Sequence, residues 1–80
     1  MIDNILNNNI VIGFKQCKKA ASEGRIKILY VALDADKKIT AEVVDTAKNS
    51  GADIIAVETM SELGNACKID VGASLVAVLK

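Results

Sequence analysis

The sequence lacks proline, histidine and tryptophan, and phenylalanine and tyrosine occur once each among its 80 residues. The core must therefore be built from aliphatic side chains packed in several short elements. Without histidine and with only two cysteines, a structural zinc site is not expected. No apolar run reaches the length of a membrane span, and the polar start does not resemble a secretion signal. We expect a cytoplasmic protein with no cofactor, no metal and no membrane contact.

Apolar residues make up 51% of the chain and charged residues 25%, which is typical of a folded globular protein rather than a disordered one. A chain of this length has room for one small core, so we expect a single domain over residues 1–80. Cys17 and Cys67 are expected to be free buried thiols, because disulfides are rare in the cytoplasm.

Positive charge is concentrated in one stretch of a chain whose net charge is zero. Residues 15–27 contain four lysines and one arginine against a single acid, Glu23, which gives a net charge of +4. Residues 1–33 carry a net charge of +3 and residues 34–80 a net charge of −3. This distribution allows a local basic patch on a neutral protein. Such a patch beside a strand-to-helix turn suits phosphate, and hence nucleic acid.

Short apolar runs alternate with segments of helical pattern. Four runs are predicted as strands: 10–12, 26–33, 54–57 and 74–79. Helices are predicted over 2–8 and 14–23, then between Thr40 and Gly51, and from Thr59 onward. The alternation predicts an α/β fold, a three-layer α/β/α sandwich around a four-stranded mixed, largely parallel sheet.

Cap residues define the ends of the predicted helices. Gly24 and Gly51 suit the left-handed conformation that ends a helix. Thr40 is predicted as the N-cap of the third helix, with Ile39 and Val44 as a hydrophobic staple. Thr59 and Glu62 match a capping box at the start of the fourth helix, and a loop containing Gly72 follows that helix.

The basic helix separates small and polar side chains at about 100° per residue. One side carries small residues that would pack on the sheet: Cys17, Ala20 and Ala21. The opposite side carries Lys15, Gln16 and Lys19 near the helix N-terminus. Cations there oppose the helix dipole, and an external anion would relieve the conflict. The alternative is a solvated charged face with a Lys19–Glu23 ion pair.

The segment 13–20, Gly-Phe-Lys-Gln-Cys-Lys-Lys-Ala, resembles the signature helix of the kink-turn RNA-binding ribosomal protein family, of the L-seven-Ae and L-thirty-e type. Its Gly-x-Lys-Gln motif is similar to that of the short bacterial members, whereas archaeal members usually have Gly-x-Asn-Glu. Residues 31–36, Val-Ala-Leu-Asp-Ala-Asp, resemble the family's second strand and acidic turn. Residues 57–67 resemble the helix that leads into the RNA-contacting loop, and residues 69–73 resemble that loop. The resemblance covers about residues 10–79 in the right order.

The resemblance implies a non-enzymatic protein that recognises structured RNA of the kink-turn type, in ribosomal RNA or a regulatory RNA. A kink-turn is a sharply bent duplex with a short bulge beside sheared G·A pairs, and such irregular regions expose base edges that regular RNA hides. The family's function implies that the protein is ribosomal or ribosome-associated, and we expect a monomer when it is free. The remaining alternative on this fold is a protein-interaction or ribosome-assembly adaptor without kink-turn specificity.

The resemblance also implies roles for particular residues. Lys15, Gln16 and Lys19 would hydrogen-bond guanine edges and nearby phosphates. The turn at Gly13 and Phe14 would bring backbone N–H groups close to phosphate. The loop residues would complete the RNA-binding surface: Lys68, Ile69, Asp70 and Val71. Ile69 and Val71 would cover the extruded bulge bases, although both could instead seal the edge of the core.

Two residues depart from the family pattern. Phe14 replaces a small or hydroxyl residue, and it provides either an extra stacking surface or an apolar flap on the helix edge. Lys68 stands where the family usually has glycine at the start of the loop, and it adds a cation there.

Other function classes fit parts of the sequence. An adaptor would use the acidic half of the chain, with Asp34, Asp36, Glu42 and Asp45 as its contact surface. An enzyme would need Cys17 as an activated thiol, but no histidine can act as its base and the helix angle directs it inward. Asp34 and Asp36 could bind Mg²⁺ at a strand's carboxyl end or form a solvated turn.

Overall fold

The computed structural model describes residues 9–69 and 71–80. Strands and helices alternate along this part of the chain: β1 (Ile10–Ile12), α1 (Phe14–Ser22), β2 (Ile26–Ala32), α2 (Lys37–Asn49), β3 (Asp53–Val57), α3 (Met60–Ala66) and β4 (Leu75–Leu79). The helix predicted over 2–8 lies outside the described residues. For the remainder, the predicted alternation is confirmed, with element ends that differ by one or a few residues. None of the described helices is long and apolar enough to cross a membrane.

The four strands form one sheet in the order β1-β4-β2-β3. β4 is antiparallel to both of its neighbours, β1 and β2, whereas β2 and β3 are parallel. The four-stranded mixed sheet is therefore confirmed, and β1, β2 and β3 share one direction. The description "largely parallel" is wrong for the pairing itself, because two of the three strand pairs are antiparallel.

The direction of β4 follows from the path of the chain after α3. The Ala73 N–H donates to the Met60 carbonyl at 3.0 Å, so the loop returns to the level at which α3 began. The chain is then already at the edge where β1, β2 and β3 end, and β4 must run back through the sheet in the opposite sense.

Helices cover both faces of the sheet, as the three-layer prediction requires. On one face, α1 and α2 pack through Cys17, Ala20, Ala21, Val43 and Ala47. On the other face, α3 packs through Leu63 against a cluster that includes Tyr30 and Val76. Neighbouring strand residues alternate between these two clusters, as the strand period of two demands.

The small-residue side of α1 is buried as the helix angle predicts. Cys17, Ala20 and Ala21 are 0%, 3% and 1% exposed. The helix ends before Gly24, which has a φ of 67°. Small side chains allow the α1 backbone to approach the sheet closely, and this fixes the direction of the polar side of the helix.

The predicted start of α2 is wrong. The N-cap is Asp36 rather than Thr40: the Lys38 N–H donates to Asp36 Oδ1 at 2.9 Å. Both residue types are good N-caps, but the earlier aspartate starts the helix first and Thr40 becomes a buried residue within it. The staple predicted around Thr40 therefore has no N-cap to flank. The N-cap of α3 is Thr59 as predicted, because the Glu62 N–H donates to Thr59 Oγ1 at 3.0 Å.

Two glycines allow α3 to contact the backbone of the following loop. A Cβ added to Gly64 would overlap the Val71 carbonyl oxygen and lie 3.2 Å from the Cα of Gly72. A Cβ added to Gly72 would lie 2.9 Å from the Cβ of Met60. No side chain fits between the helix and the loop at these points, so the backbone contact itself sets the position of the loop.

We expect Gly64→Ala to destabilise the protein by about 1–3 kcal/mol, because the clash is with backbone that cannot rotate away. Alanine gains up to about 1 kcal/mol of helix propensity over glycine, which is the smaller effect. Urea unfolding of the full chain measures the difference. Asn65→Ala, an exposed change one residue along α3, is the control and should stay within about 0.5 kcal/mol of wild type. A Gly64→Ala protein as stable as wild type would contradict the packing argument.

Candidate functional site

The predicted site residues come from the turn before α1 and the loop after α3. Both segments adjoin the same edge of the sheet, because α1 follows directly on β1 and the loop leads directly into β4. The Gly13 N–H donates to the Leu75 carbonyl at 2.9 Å, which ties the turn to the first residue of β4. On the other side of β4, the Ala32 N–H donates to the Ser74 carbonyl at 3.0 Å. The structure therefore brings the two predicted segments to one edge.

Gly13 forms the turn into α1 with φ 97° and ψ 165°. This region of backbone space is essentially restricted to glycine. Gly13 is also the N-cap, and no side chain caps the helix. Since the Gly13 N–H is bonded to Leu75, the N–H groups of the first helical turn, from Phe14 to Gln16, are the ones left for an external acceptor.

Lys15, Gln16 and Lys19 are all exposed, as the helix angle predicts. Lys15 lies in the first turn of α1, which contains no acid, so its charge opposes the helix dipole. Lys19 lies in the last turn, where a cation is favoured. The alternative Lys19–Glu23 ion pair is absent from the described residues, since Glu23 pairs with Arg25 at 3.1 Å.

Lys18 and Phe14 contact each other beside this polar surface. The Lys18 Nζ lies 5.6 Å from the centroid of the Phe14 ring and 3.2 Å from Glu42 Oε1. Phe14 is half-buried against the core formed by α1 and α2. The ring thus has the core on one side and a cation over its face, which fits an apolar flap on the helix edge better than a stacking surface.

The loop after α3 begins with a Schellman motif. The Lys68 N–H donates to the Asn65 carbonyl at 3.0 Å, and the Ile69 N–H donates to the Gly64 carbonyl at 3.1 Å. Ile69 also packs against the cluster containing Leu63, the hydrophobic contact that usually accompanies this motif. Ile69 is therefore partly engaged in closing the helix.

Val71 differs from Ile69 in exposure. Its side chain is 70% exposed, the largest fraction among the exposed large hydrophobic residues of the described chain. Its carbonyl oxygen lies against Gly64, so its backbone is held while its side chain faces solvent. Of the two apolar loop residues, Val71 is the one available to an external surface. Asp70 lies outside the described residues.

Lys68 has a φ of 57°, the only positive φ of a non-glycine residue in the part of the chain that the structure describes. It occupies the position of the Schellman motif at which glycine is favoured. The loop therefore keeps the left-handed geometry without glycine, at a cost of about 1–2 kcal/mol for a side chain in this conformation. The exposed ammonium group is carried at a strained position.

We expect Lys68→Gly to stabilise the fold by about 0.5–1 kcal/mol. The relief of about 1–2 kcal/mol of left-handed strain exceeds the roughly 0.5–1 kcal/mol of extra chain entropy that glycine gives the unfolded state. Urea unfolding measures this difference. Lys68→Ala is the control, since it removes the charge and keeps the strain, and its stability should match wild type. A glycine variant less stable than the alanine variant would contradict the assignment of strain.

Cys17 and Cys67 are free and buried, as predicted. Burial raises the pKa of the Cys17 thiol to about 12, despite an opposing backbone hydrogen bond from Ala77. The Cys17 Sγ lies 3.7 Å from the Val11 carbonyl. At neutral pH the group is a protonated thiol inside the core, the opposite of the activated thiolate that the enzyme hypothesis needs.

The acidic residues of the strand turn have structural partners. The Met60 N–H donates to Asp34 Oδ1 at 2.8 Å, so Asp34 connects the end of β2 to the start of α3. Asp36 caps α2. Within residues 9–69 and 71–80, no group of three or more potential ligands could hold a metal ion. A Mg²⁺ site at Asp34 and Asp36 therefore has no third carboxylate, thiol or imidazole ligand among these residues.

Sequence reasoning missed three features that position the site. The contact from Asp34 to Met60 joins residues 26 positions apart, and nothing in the local pattern indicates it. The close packing of Gly64 against the loop has no sequence period. The strain at Lys68 has a weak signal, since a residue following a predicted helix end often needs a left-handed conformation.

Fold and candidate site together define a small α/β protein in which a basic helix and a partly apolar loop adjoin one edge of the sheet. Residues 6–80 match the Ribosomal protein L7Ae/L30e/S12e/Gadd45 family. An RNA-binding protein of Bacillus pumilus is 45% identical over 71 residues, which cover 89% of this chain and 87% of that relative. The large ribosomal subunit protein eL8 of Halobacterium salinarum is 34% identical over 68 residues, covering 84% of this chain and 57% of that protein.

A solved structure has the same fold. The 15.5kD RNA binding protein of Giardia lamblia superposes with a TM-score of 0.83 at 22% identity, over 98% of this chain and 65% of that one. The family match and the curated relatives show that the chain belongs to the Ribosomal protein L7Ae/L30e/S12e/Gadd45 family. As a member of this family, it is a non-enzymatic protein.

Proposed function

We propose that this chain, an RNA-binding protein of the family identified above, recognises and stabilises kink-turn RNA and is associated with the ribosome. The observation that carries the proposal is the joining of two segments at one edge of the sheet. The Gly13 N–H in the turn before α1 bonds to Leu75, the first residue of β4, and the loop after α3 leads directly into that strand. The names of the bacterial and archaeal relatives support RNA as the ligand and the ribosome as the setting.

The polar side of α1 would read the bases. Lys15 and Gln16 project from the first turn of a helix whose N–H groups have no partner within the helix, so they can donate to guanine edges while the backbone donates to phosphate. Lys15 also has an electrostatic reason to bind an anion, because its charge opposes the helix dipole. Lys19, one turn further along, would contact a neighbouring phosphate.

The loop after α3 would contact the unstacked bases of the RNA bulge. Val71 offers an exposed aliphatic side chain on a backbone that is fixed by Gly64, which suits contact with an unstacked base. Ile69 would act mainly by holding the loop in place, since it packs partly against the core. Lys68 would contact phosphate at the start of the loop.

The hypothesis of a protein-interaction adaptor is weakened by the positions of the acidic residues that would form its contact surface. Asp34 accepts the Met60 N–H, Asp36 caps α2, and Glu42 pairs with Lys18. These three carboxylates already have partners within the chain.

Replacing the sheared G·A pairs of a kink-turn by Watson–Crick pairs should weaken binding steeply. Lys15→Ala and Gln16→Ala should each reduce the ratio of the two RNA affinities about tenfold. Contacts to bases determine which RNA is bound, and each is worth roughly 1–3 kcal/mol. Lys27→Ala, an exposed cation on β2, is the matched control and should affect both RNAs equally. Titration of the full chain with the two RNAs at one salt concentration measures this. Equal affinity for both RNAs would overturn the proposal.

Lys68→Gly should reduce kink-turn affinity by a few-fold although it stabilises the fold, because one phosphate contact is worth roughly 1 kcal/mol. Lys68→Ala should lose the same affinity without the gain in stability, and Lys68→Arg should retain affinity. The slope of binding against salt should fall by about one for both neutral variants. A glycine variant that binds as tightly as wild type would remove Lys68 from the proposed interface.

A further inference from the structure

β3 is the last strand of the sheet, and its outer edge has no partner among the described residues. The Leu33 N–H donates to the Val57 carbonyl at 2.8 Å, so Val57 directs its backbone groups toward β2. Because the two backbone groups of a strand residue point to the same side and alternate along the strand, Ile54 and Ala56 direct theirs outward. Within residues 9–69 and 71–80 these groups have no partner, so each residue offers an N–H and a C=O to an additional strand.

No residue of this strand blocks its outer edge sterically. Edge strands are usually shielded by lysine, proline or a bulge, and Asp53–Val57 contains none of these. Ile55 is 40% exposed on one face. On the other face, the small Ala56 is exposed next to Val31, beside a groove of about 260 Å³ between β2 and α2.

The groove is mainly apolar. Its lining comprises Val31, Ala32, Leu33, Lys37, Thr40, Ala41, Val44 and Asp45. Leu33 is 54% exposed. The two charged lining residues have opposite signs, so the groove itself has no net charge. A bulky side chain next to Ala56 could lean over the alanine and reach this surface.

The charge around the edge discriminates between possible occupants. Residues 49–61 contain Asp53 and Glu58 and no lysine or arginine. Phosphate is repelled by such a segment, which excludes RNA as the preferred occupant. A second copy would bring the same acids, Asp53 and Glu58, against themselves, and like charges across strands are destabilising. A basic segment is complementary.

We propose that the outer edge of β3 binds an extended segment of a protein partner with an apolar centre and basic flanks. The segment adds a fifth strand to the sheet through the outward backbone groups of Ile54 and Ala56. Its apolar side chains contact Ile55 on one face and the groove beside Ala56 on the other. Its flanking cations pair with Asp53 and Glu58. This surface is separate from the proposed RNA-binding residues, and the proposal does not depend on them.

The test uses the isotope-labelled full chain and the synthetic peptide acetyl-Lys-Val-Leu-Val-Lys-amide, with acetyl-Glu-Val-Leu-Val-Glu-amide as matched control. Backbone addition predicts a specific pattern of amide hydrogen exchange: the Ile54 and Ala56 N–H groups slow on binding. The Ile55 N–H, directed toward β2, should change little. The basic peptide should bind and the acidic peptide should not. Amide exchange of the protein without peptide is also measured over a range of protein concentrations, to detect pairing with a second copy of the chain.

Variants separate the charge from the backbone contribution. The double change Asp53→Lys and Glu58→Lys should reverse the charge preference, so that the acidic peptide binds and the basic peptide does not. The milder double change Asp53→Asn and Glu58→Gln, which serves if the charge-reversed protein does not fold, should weaken binding of the basic peptide roughly fivefold. Ala56→Pro removes one outward N–H at an edge position that tolerates proline, and it should abolish both peptide binding and the slowing of exchange at Ile54. Glu62→Lys on α3 is the control and should leave peptide binding unchanged.

Three results would overturn the proposal. The first is equal binding of the basic and acidic peptides. The second is peptide binding without selective slowing at Ile54 and Ala56. The third is slowing at these two amides that rises with protein concentration in the absence of peptide, which would assign the edge to a second copy of the chain.

Discussion

The insertion of β4 between β1 and β2 is the constraint on which the rest of the structure depends. Its first residue, Leu75, accepts the N–H of Gly13, and the preceding Ser74 accepts the N–H of Ala32. One strand start therefore fixes both the turn into α1 and the end of β2. The loop that leads into this strand is fixed in turn by the Ala73 to Met60 hydrogen bond. Two segments far apart in sequence meet because this strand runs against its neighbours.

The two segments that meet here contain backbone conformations and contacts that most residues avoid. Gly13 occupies a region of backbone space available to glycine alone, and Lys68 occupies the left-handed region without being glycine. Gly64 has no room for a side chain because the loop backbone lies against it. The core clusters on the two faces contain ordinary aliphatic packing. Constrained backbone therefore holds these two segments in place, which supports the binding surface proposed above.

The sequence was sufficient for local features and insufficient for contacts between distant segments. The buried side of α1 followed from its helical period, since three small residues share one side. The direction of β4 did not, because it depends on where a loop returns after α3. The start of α2 was misplaced because Asp36 and Thr40 are both good caps, and the earlier Asp36 starts the helix and leaves Thr40 buried within it. The residue pattern indicated the basic helix, and only the family resemblance joined the loop after α3 to it as one surface.

Net charge bears on what kind of nucleic-acid ligand such a surface can select. A protein with zero net charge gains little from long-range attraction to a polyanion, so its affinity must come from contacts at the surface itself. The exposed cations of the proposed interface are few, and Lys18 and Arg25 are already paired with acids of the chain. Counterion release from about three phosphate contacts gives only a modest sequence-independent affinity. Fitted contacts from the fixed backbone, the Gln16 amide and the exposed Val71 must supply the remainder of the affinity. Those contacts are lost when the shape of the ligand changes, so the scarcity of charge itself favours selection of an unusual RNA shape over binding to RNA in general.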